Sequence, residues 1–424
     1  MPVGWTRTRI GKFLHRVSSE VDVVQGTDYR EIGIRSHGKG IFHKQPTTGM
    51  SLGEKRVFWV EPNCLIFNIV FAWEQAVART CGRDVGFIAS HRFPMYRVDD
   101  KLAELDYLVY FFKSPLGKHL LTLASPGGAG RNKTLGQEEL ASIHVSLPPR
   151  AHQTEYAELL ATWDHAITLT ERLIAAKQQL RRSLMQQLLT GKRRFPGFSE
   201  PWREVRLGDV FERVTRTATE EDGELEPLSI TAGTGIVLQK DKFSRVIAGK
   251  NLERYVLLRR GEFSYNKGNS KRFPQGCIYR LHDLNAGLVP NVFYSFRAAS
   301  EDVHPEFFEH FFDGGGLNHA LSRVINTGVR NDGLLNLDAD AFFKVTIPLP
   351  PADEQKRVAE LLHAGRDELS LLQTQLAALK TQKHGLMQQL LTGKVRVTLP
   401  DVDENATSTE AEQLTDASAG TVAR

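Results

Sequence analysis

LMQQLLTGK occupies residues 184–192 and recurs, letter for letter, at residues 386–394. Nine identical residues at an offset of 202 mark an internal duplication, so the chain is built from two halves. The same offset carries Pro148-Pro149 onto Pro350-Pro351, Gln153 onto Gln355, and Ala157-Glu158-Leu159-Leu160 onto Ala359-Glu360-Leu361-Leu362. Roughly 45 residues therefore align without a gap. A second echo opens each half, where WTRTRIGKFLHRV (5–17) resembles WREVRLGDVFERV (202–214). The regions between these markers differ widely. A duplicated frame with divergent inserts reads as one scaffold carrying two separately varied modules.

Behind each proline pair the spacing predicts a long helix. Steps of four and three from Tyr156 reach Leu160, Trp163, Ile167, Thr170, Ile174, Lys177, Arg181, Leu184 and Leu188. The second copy gives Val358, Leu362, Gly365, Leu369, Leu372, Leu376, Leu379, Lys383, Leu386 and Leu390. A repeat of seven with apolar residues at two positions is the pattern of a coiled coil. Gly191 and Gly393, each followed by lysine, are C-terminal stop signals. A helix of about 36 residues is roughly 54 Å long and cannot bury its stripe alone. Two long helices packed separately in their own domains would show the same stripe. The duplication favours their pairing with each other, antiparallel, with Lys177, Arg181 and Lys383 as polar seam positions that fix register.

The modules read as mixed α/β (α+β) units. Module one has strand-like runs at 57–60, 64–71 and 87–88 and a helical stretch at 105–113; module two has strand-like runs at 255–258, 276–281 and 288–297 and a helical stretch at 305–313. Short apolar strands at 143–147 and 345–349 close them. The expected organisation is a module at 1–150, a helix at 151–192, a linker at 193–201, a second module at 202–349, a helix at 350–394, and an acidic disordered tail at 398–424.

Composition bounds the function loosely. A length of 424 residues suits two or three domains, and 54 basic against 50 acidic residues permits a nucleic-acid surface without demanding one. Cys64, Cys81 and Cys277 have no CxxC spacing and read as buried free thiols of a reducing compartment. No apolar run has the length of a membrane span, and residues 1–17 lack the apolar core of a signal peptide, so a cytoplasmic protein is expected.

With its two Pro-Pro-x-x-x-Gln openings (148–153 and 350–355), its two LMQQLLTGK strings and its Trp202–Val214 module start, the chain resembles the specificity subunit of type I DNA restriction-modification enzymes. The resemblance spans nearly everything before the tail. It implies two target recognition domains, each reading one half of a split sequence in double-stranded DNA. It also implies that the paired helices act as ruler and docking surface for two methyltransferase subunits, which restriction subunits join. Leu160, Trp163, Ile167, Leu184, Leu188, Leu362, Leu369, Leu376, Leu386 and Leu390 would carry that spacer and docking role. S-adenosylmethionine, ATP and magnesium would be bound by the partners and no cofactor by this chain. Two dissimilar modules imply an asymmetric target. A strut of roughly 54 Å could separate the reading heads by at most about 16 base pairs.

Candidate DNA contacts follow from residue chemistry. Residues 265–273 (YNKGNSKRF) interleave basic, amide and aromatic side chains around a glycine, which singles out Lys267, Asn269, Lys271 and Arg272. Arg330-Asn331 in module two and Arg131-Asn132-Lys133 in module one lie just before the closing strands, and Lys44 sits in a further basic loop with Lys39 and His43. A solvated polar loop would have the same composition. Catalysis is not expected of this chain. The proline pairs follow Leu147 and Leu349 where an adenine methyltransferase needs Asn or Asp; the glycine cluster at 127–130 lacks GxGxxG spacing; no GxxxxGK[ST] occurs; and the histidines have no HExxH spacing. The competing reading is a coiled-coil scaffold holding two protein-interaction modules.

Overall fold

The computed structural model describes residues 2–127, 133–242, 249–268, 273–325 and 334–396. The expected acidic tail at 398–424 lies outside them. The chain divides into two compact units, one of Met1–Leu169 with Leu376–Arg424, the other of Thr170–Gln375.

In unit 1 the elements are β1 (Thr6–Arg9), β2 (Leu14–Val17), β3 (Leu65–Phe67), β4 (Val77–Arg79), β5 (Met95–Val98), α1 (Leu105–Lys113), α2 (Pro115–Leu123), β6 (His144–Leu147) and the first half of α3 (Arg150–Leu188). The four central strands form an antiparallel sheet in the order β2-β5-β3-β4. The opening strand β1 pairs with the closing strand β6, Thr6 opposite Leu147. Helix α1 forms because Glu104 caps it, accepting from the Tyr107 amide, and because Tyr107 to Phe112 are all buried, between the sheet and the neighbouring helices.

Unit 2 repeats the plan with β7 (Arg203–Arg206), β8 (Phe211–Val214), β9 (Phe263–Asn266), β10 (Cys277–Arg280), β11 (Tyr294–Ala298), α4 (Pro305–Asp313), α5 (Asn318–Val324), β12 (Thr346–Leu349) and the first half of α6 (Ala352–Leu391). Its sheet runs β8-β11-β9-β10, and β7 pairs with β12. Phe211 sits at the centre of its core, with Phe296, Phe308 and Phe263 set edge-on at centroid distances of 5.2, 5.0 and 5.8 Å.

Neither core is closed by its own module. In unit 1 Leu390 and Leu391, from the far end of α6, share one cluster with Phe67, Tyr107 and Phe111 and with Tyr156 and Leu160 of α3. In unit 2 Met185, Leu188 and Leu189, from the far end of α3, join Phe307, Phe311, Val358 and Leu362. The direction of pairing is antiparallel within each unit. Unit 1 sets Asp164 against Lys383 while Leu160 shares its core with Leu390. Unit 2 sets Lys177 against Glu368 while Leu188 shares its core with Val358. All twenty seam positions are buried or half-buried: Leu160, Leu188, Leu362, Leu369 and Leu390 are buried, and Trp163, Ile167, Leu184, Leu376 and Leu386 half-buried. The polar seam residues are each paired, Lys177 with Glu368, Arg181 with Asp313 and Lys383 with Asp164.

The repeated sequence letters have repeated jobs. Gln153 is fully buried; its Nε2 donates to the Pro148 and Leu102 carbonyls, and its Oε1 accepts from the Glu104 amide. Gln355 makes the same three bonds to Pro350, Asp302 and the His304 amide. Each glutamine thus ties a proline pair, a long helix and the N-terminus of a module helix together, and a truncation would leave three buried groups unpaired. Gly191 and Gly393 adopt left-handed φ of 68° and 69°, and a Cβ on either would meet the indole of Trp202 at 3.4 Å or of Trp5 at 3.0 Å. The tryptophan that opens each half therefore packs over the glycine that ends a helix.

Charge differs where the frame is otherwise alike. In unit 1 Asp164 accepts from Lys383 (2.6 Å) and from the Tyr110 hydroxyl (2.8 Å). At the positions matching Asp164, Tyr110 and Lys113, unit 2 has Arg366, His310 and Asp313. Arg366 pairs with Glu309 at 2.5 Å, Arg181 with Asp313 at 3.1 Å, and His282 with Glu309 at 3.0 Å. A module helix moved to the other helix pair would set Lys113 beside Arg366 and Arg181, a like-charge contact.

Two strand expectations are corrected. The apolar run 64–71 is a strand only at Leu65–Phe67, because the Asn68 carboxamide accepts from the Val70 amide and turns the chain. The run 288–297 is two strands, Ala286–Val289 and Tyr294–Ala298, separated by a turn at Pro290 in which the Phe293 amide donates to the Pro290 carbonyl. The long helices have 39 and 40 residues.

Leu390→Ala should destabilise module one by about 2–5 kcal/mol although the residue lies at the other end of the chain. Limited proteolysis would show faster cleavage within residues 2–127, and unchanged protection there would contradict the shared core. Burial pulls the pKa of His310 down to about 4, with Arg366 and Arg181 adding to the effect and Glu309 opposing it. The folded state then holds fewer protons on this ring than the unfolded state, so stability is full above about pH 6.5 and falls by about 3 kcal/mol towards pH 4. The urea midpoint of unit 2 should follow that slope, and His310→Phe should flatten it.

Candidate nucleic-acid interface

In each module the hairpin at one edge of the sheet ends in a connection whose root is built in the same way. In module two β9 and β10 pair with Asn266 opposite Cys277, so residues 267–276 join two antiparallel strands. Asn266 Oδ1 accepts from the Gly268 amide at 2.7 Å, and its Nδ2 donates to the Ile230 carbonyl at 2.8 Å. The Tyr265 hydroxyl donates to the Gln275 carbonyl at 2.8 Å. Gly276 closes the loop at φ 76°, where a Cβ would lie 2.5 Å from the Asn266 carbonyl oxygen, so no other residue fits without movement. The Leu335 amide donates to the Lys267 carbonyl at 2.8 Å and Gly268 bridges Leu334, which brings the roots of the 267–276 connection and of the segment before β12 to one place.

Module one has the same root with different side chains. Phe67 pairs with Val77, so residues 68–76 join β3 and β4. Asn68 Oδ1 accepts from the Val70 amide at 3.1 Å, and the Leu135 amide donates to the Ile69 carbonyl at 2.8 Å. Asn68 and Asn266, and Leu135 and Leu335, therefore correspond. The module-one connection carries Val70, Phe71 and Trp73, with Phe71 38% exposed and the Trp73 indole donating to the Val70 carbonyl at 3.1 Å. The expected strand at 64–71 takes in Val70 and Phe71. The asparagine that ends the apolar run was the available signal, since a side-chain cap on the backbone marks a turn.

The sequence-derived candidates fall as follows. Lys267 is buried, with Nζ 3.0 Å from the Tyr294 hydroxyl, which in turn donates to the Leu337 carbonyl at 2.5 Å; its ammonium braces the loop root. Lys133 is half-buried, with Nζ 5.6 Å from the Trp73 ring, and so belongs to the module-one connection. Lys44 lies apart from both, paired at 3.5 Å with Glu31 on the surface. Beside it His43 donates to the buried Asp84 at 2.8 Å and stacks on Phe87 at 4.1 Å. Asn269, Lys271, Arg272, Arg330, Asn331, Arg131 and Asn132 lie outside the described residues. Cys64 and Cys277 are buried thiols, with burial raising the pKa of both; Cys81 is half-buried and contacts Asp84 at 3.2 Å. Among the described residues no helix is long and apolar enough to cross a membrane.

Comparison with known proteins gives this arrangement a context. Residues 63–178 match the family model described as the type I restriction modification DNA specificity domain. The chain is 23% identical over 312 residues to a putative type I restriction enzyme MjaX specificity subunit of Methanocaldococcus jannaschii, covering 69% of this chain and 68% of that protein. Among solved structures, the HsdS subunit from Thermoanaerobacter tengcongensis is similar at a TM-score of 0.52 and 18% identity, over 93% of this chain and 98% of that one. The type I restriction-modification S subunit from M. genitalium is similar at 0.53 and 13%, over 93% and 97%. These two likenesses concern the fold.

Because Lys267 is turned inward, Lys267→Met should leave the slope of log affinity against log salt unchanged in DNA-binding titrations, whereas Lys133→Ala should lower its magnitude by about 1. Equal changes for both would contradict the bracing role.

Proposed function

We propose that the chain is a specificity subunit of a type I restriction-modification enzyme, as the family match over residues 63–178 and the likeness to the Methanocaldococcus jannaschii subunit support, and that it reads an asymmetric DNA sequence in two halves, one per module. The observation that carries this reading is the contrast between frame and connection. Sheet order, glutamine brace, helix ends and asparagine turn are repeated in both modules, whereas residues 68–76 and 267–276 share almost no side-chain chemistry. Repeating a scaffold while varying what it carries suits two readers that are held alike and read different bases.

The long helices, in this proposal, set the spacing between the half-sites and dock two methyltransferase subunits. Their apolar seam is occupied by pairing, so docking falls to the outer face. That face offers the same side chains twice, since Gln186 and Gln388, Thr190 and Thr392, and Lys192 and Lys394 are all exposed. Two like faces suit two copies of one partner. Thr190 and Thr392 also serve the helix itself, each hydroxyl donating to a carbonyl four residues back at 2.7 Å. Restriction subunits complete the complex, and S-adenosylmethionine, ATP and magnesium belong to the partner subunits, leaving this chain to bind DNA and position the others.

Methylation-sensitive long-read sequencing of DNA from cells expressing this chain with its methyltransferase tests the proposal. One split, asymmetric motif with modified adenines is expected. Uniformly unmodified DNA, with all subunits shown to be expressed, would overturn it.

A further inference from the structure

The two hairpin connections differ in a way that bears on what each module can read. Module two's connection is polar in sequence, with Asn, Lys, Ser and Arg at 269–272. Module one's connection, on the same root, presents Phe71, a side chain with no hydrogen-bonding atom and 38% exposed. Its backbone is occupied in holding the turn: the Phe71 amide donates to the Asn68 carbonyl, and its carbonyl accepts from the Glu74 and Ala76 amides at 3.0 and 3.1 Å. Trp73 stands behind it, fixed by its indole bond to Val70 and faced by the Lys133 ammonium. Arg92, whose carbonyl accepts from the Ile69 amide, is exposed beside the same turn. An exposed ring held on a turn that also carries Trp73 with the Lys133 ammonium over it, and that is bonded to the backbone of the exposed Arg92, suits a polyanion with an apolar feature, and an apolar protein groove would not call for the cations.

Resting on the reading of this chain as a two-module DNA reader, we propose that Phe71 is a specificity-determining residue of module one and that it contacts the 5-methyl group of a thymine. On the major-groove edges of the four bases the thymine methyl is the one apolar group, so a phenyl ring that can neither donate nor accept discriminates there and nowhere else. Lys133 and Arg92 supply backbone attraction that is indifferent to sequence. Module one's half-site therefore contains a T·A pair read by apolar contact.

The test uses the chain purified in complex with its methyltransferase subunits and the duplex that the methylation map identifies. Each thymine of both half-sites is replaced singly by deoxyuridine, which removes the methyl and keeps the pairing. The unaltered complex should lose about four-fold in affinity at one thymine of one half-site, the equivalent of one buried methyl at about 0.8 kcal/mol. Phe71→Ala should lose a similar factor on the natural duplex and become indifferent to that deoxyuridine, while Phe71→Leu keeps the sensitivity and controls for folding. Should no thymine methyl matter to the unaltered complex, or should Phe71→Ala still sense it, the assignment of Phe71 is overturned and the two-module reading stands. Should the unaltered complex bind no sequence specifically, the two-module reading itself falls, and this inference with it.

Discussion

The whole structure depends on one packing constraint: each module lacks the apolar surface to finish its own core and takes it from the far end of the helix that belongs to the other half. Leu390 and Leu391 are buried among module-one residues, and Leu188 and Leu189 among module-two residues. The exchange removes four leucines from water, each worth about 1.5–3 kcal/mol. It also explains why LMQQLLTGK is preserved in both copies, since Met185, Leu188 and Leu189 and their counterparts Met387, Leu390 and Leu391 meet the same kind of surface. A change in either copy of that string would affect the module of the other half of the chain.

Around this exchange the frame is fixed by directional bonds, and directional bonds tolerate little variation. Gln153 and Gln355 each satisfy three backbone groups at a helix entrance, and Glu354, buried, accepts from two guanidinium nitrogens of Arg194 (2.8 and 2.6 Å) and from the Trp202 indole (2.8 Å) where module two begins. The charges where module helix meets strut are reversed between the units, Asp164 in one and Arg366 in the other, so that two modules of one plan are told apart by electrostatics. The hairpin connections are anchored to this frame at their roots, by Asn68, Ala72 and Ala76 in one module and by Asn266, Lys267 and Gly276 in the other, and the exposed Phe71 lies between such anchors.

Much of this was legible in the sequence because duplication and periodicity are geometric statements. The seam from Tyr156 to Leu188 followed from counting, and its antiparallel pairing from there being two such helices. The module helices at 105–113 and 305–313 were legible because their aromatic residues recur at helical spacing and Glu104 or Pro305 starts them. What was not legible needed three dimensions. Residues 68–71 continue an apolar run, and only a side-chain bond from Asn68 turns them out of the strand. Lys267 reads as a surface cation until its contact with Tyr294 is seen. The reversed charges at Asp164 and Arg366 look like ordinary helix-surface residues when the chain is read as a line.

The account's central claim is that two modules of one repeated plan read two separate parts of one DNA molecule. Hydroxyl-radical footprinting of the chain in complex with its methyltransferase subunits, on a duplex carrying the target, measures that most directly. The account predicts two protected patches of different sequence separated by a stretch whose sequence can be changed without loss of protection. A single patch, or protection that fails when only the intervening sequence is altered, would contradict it.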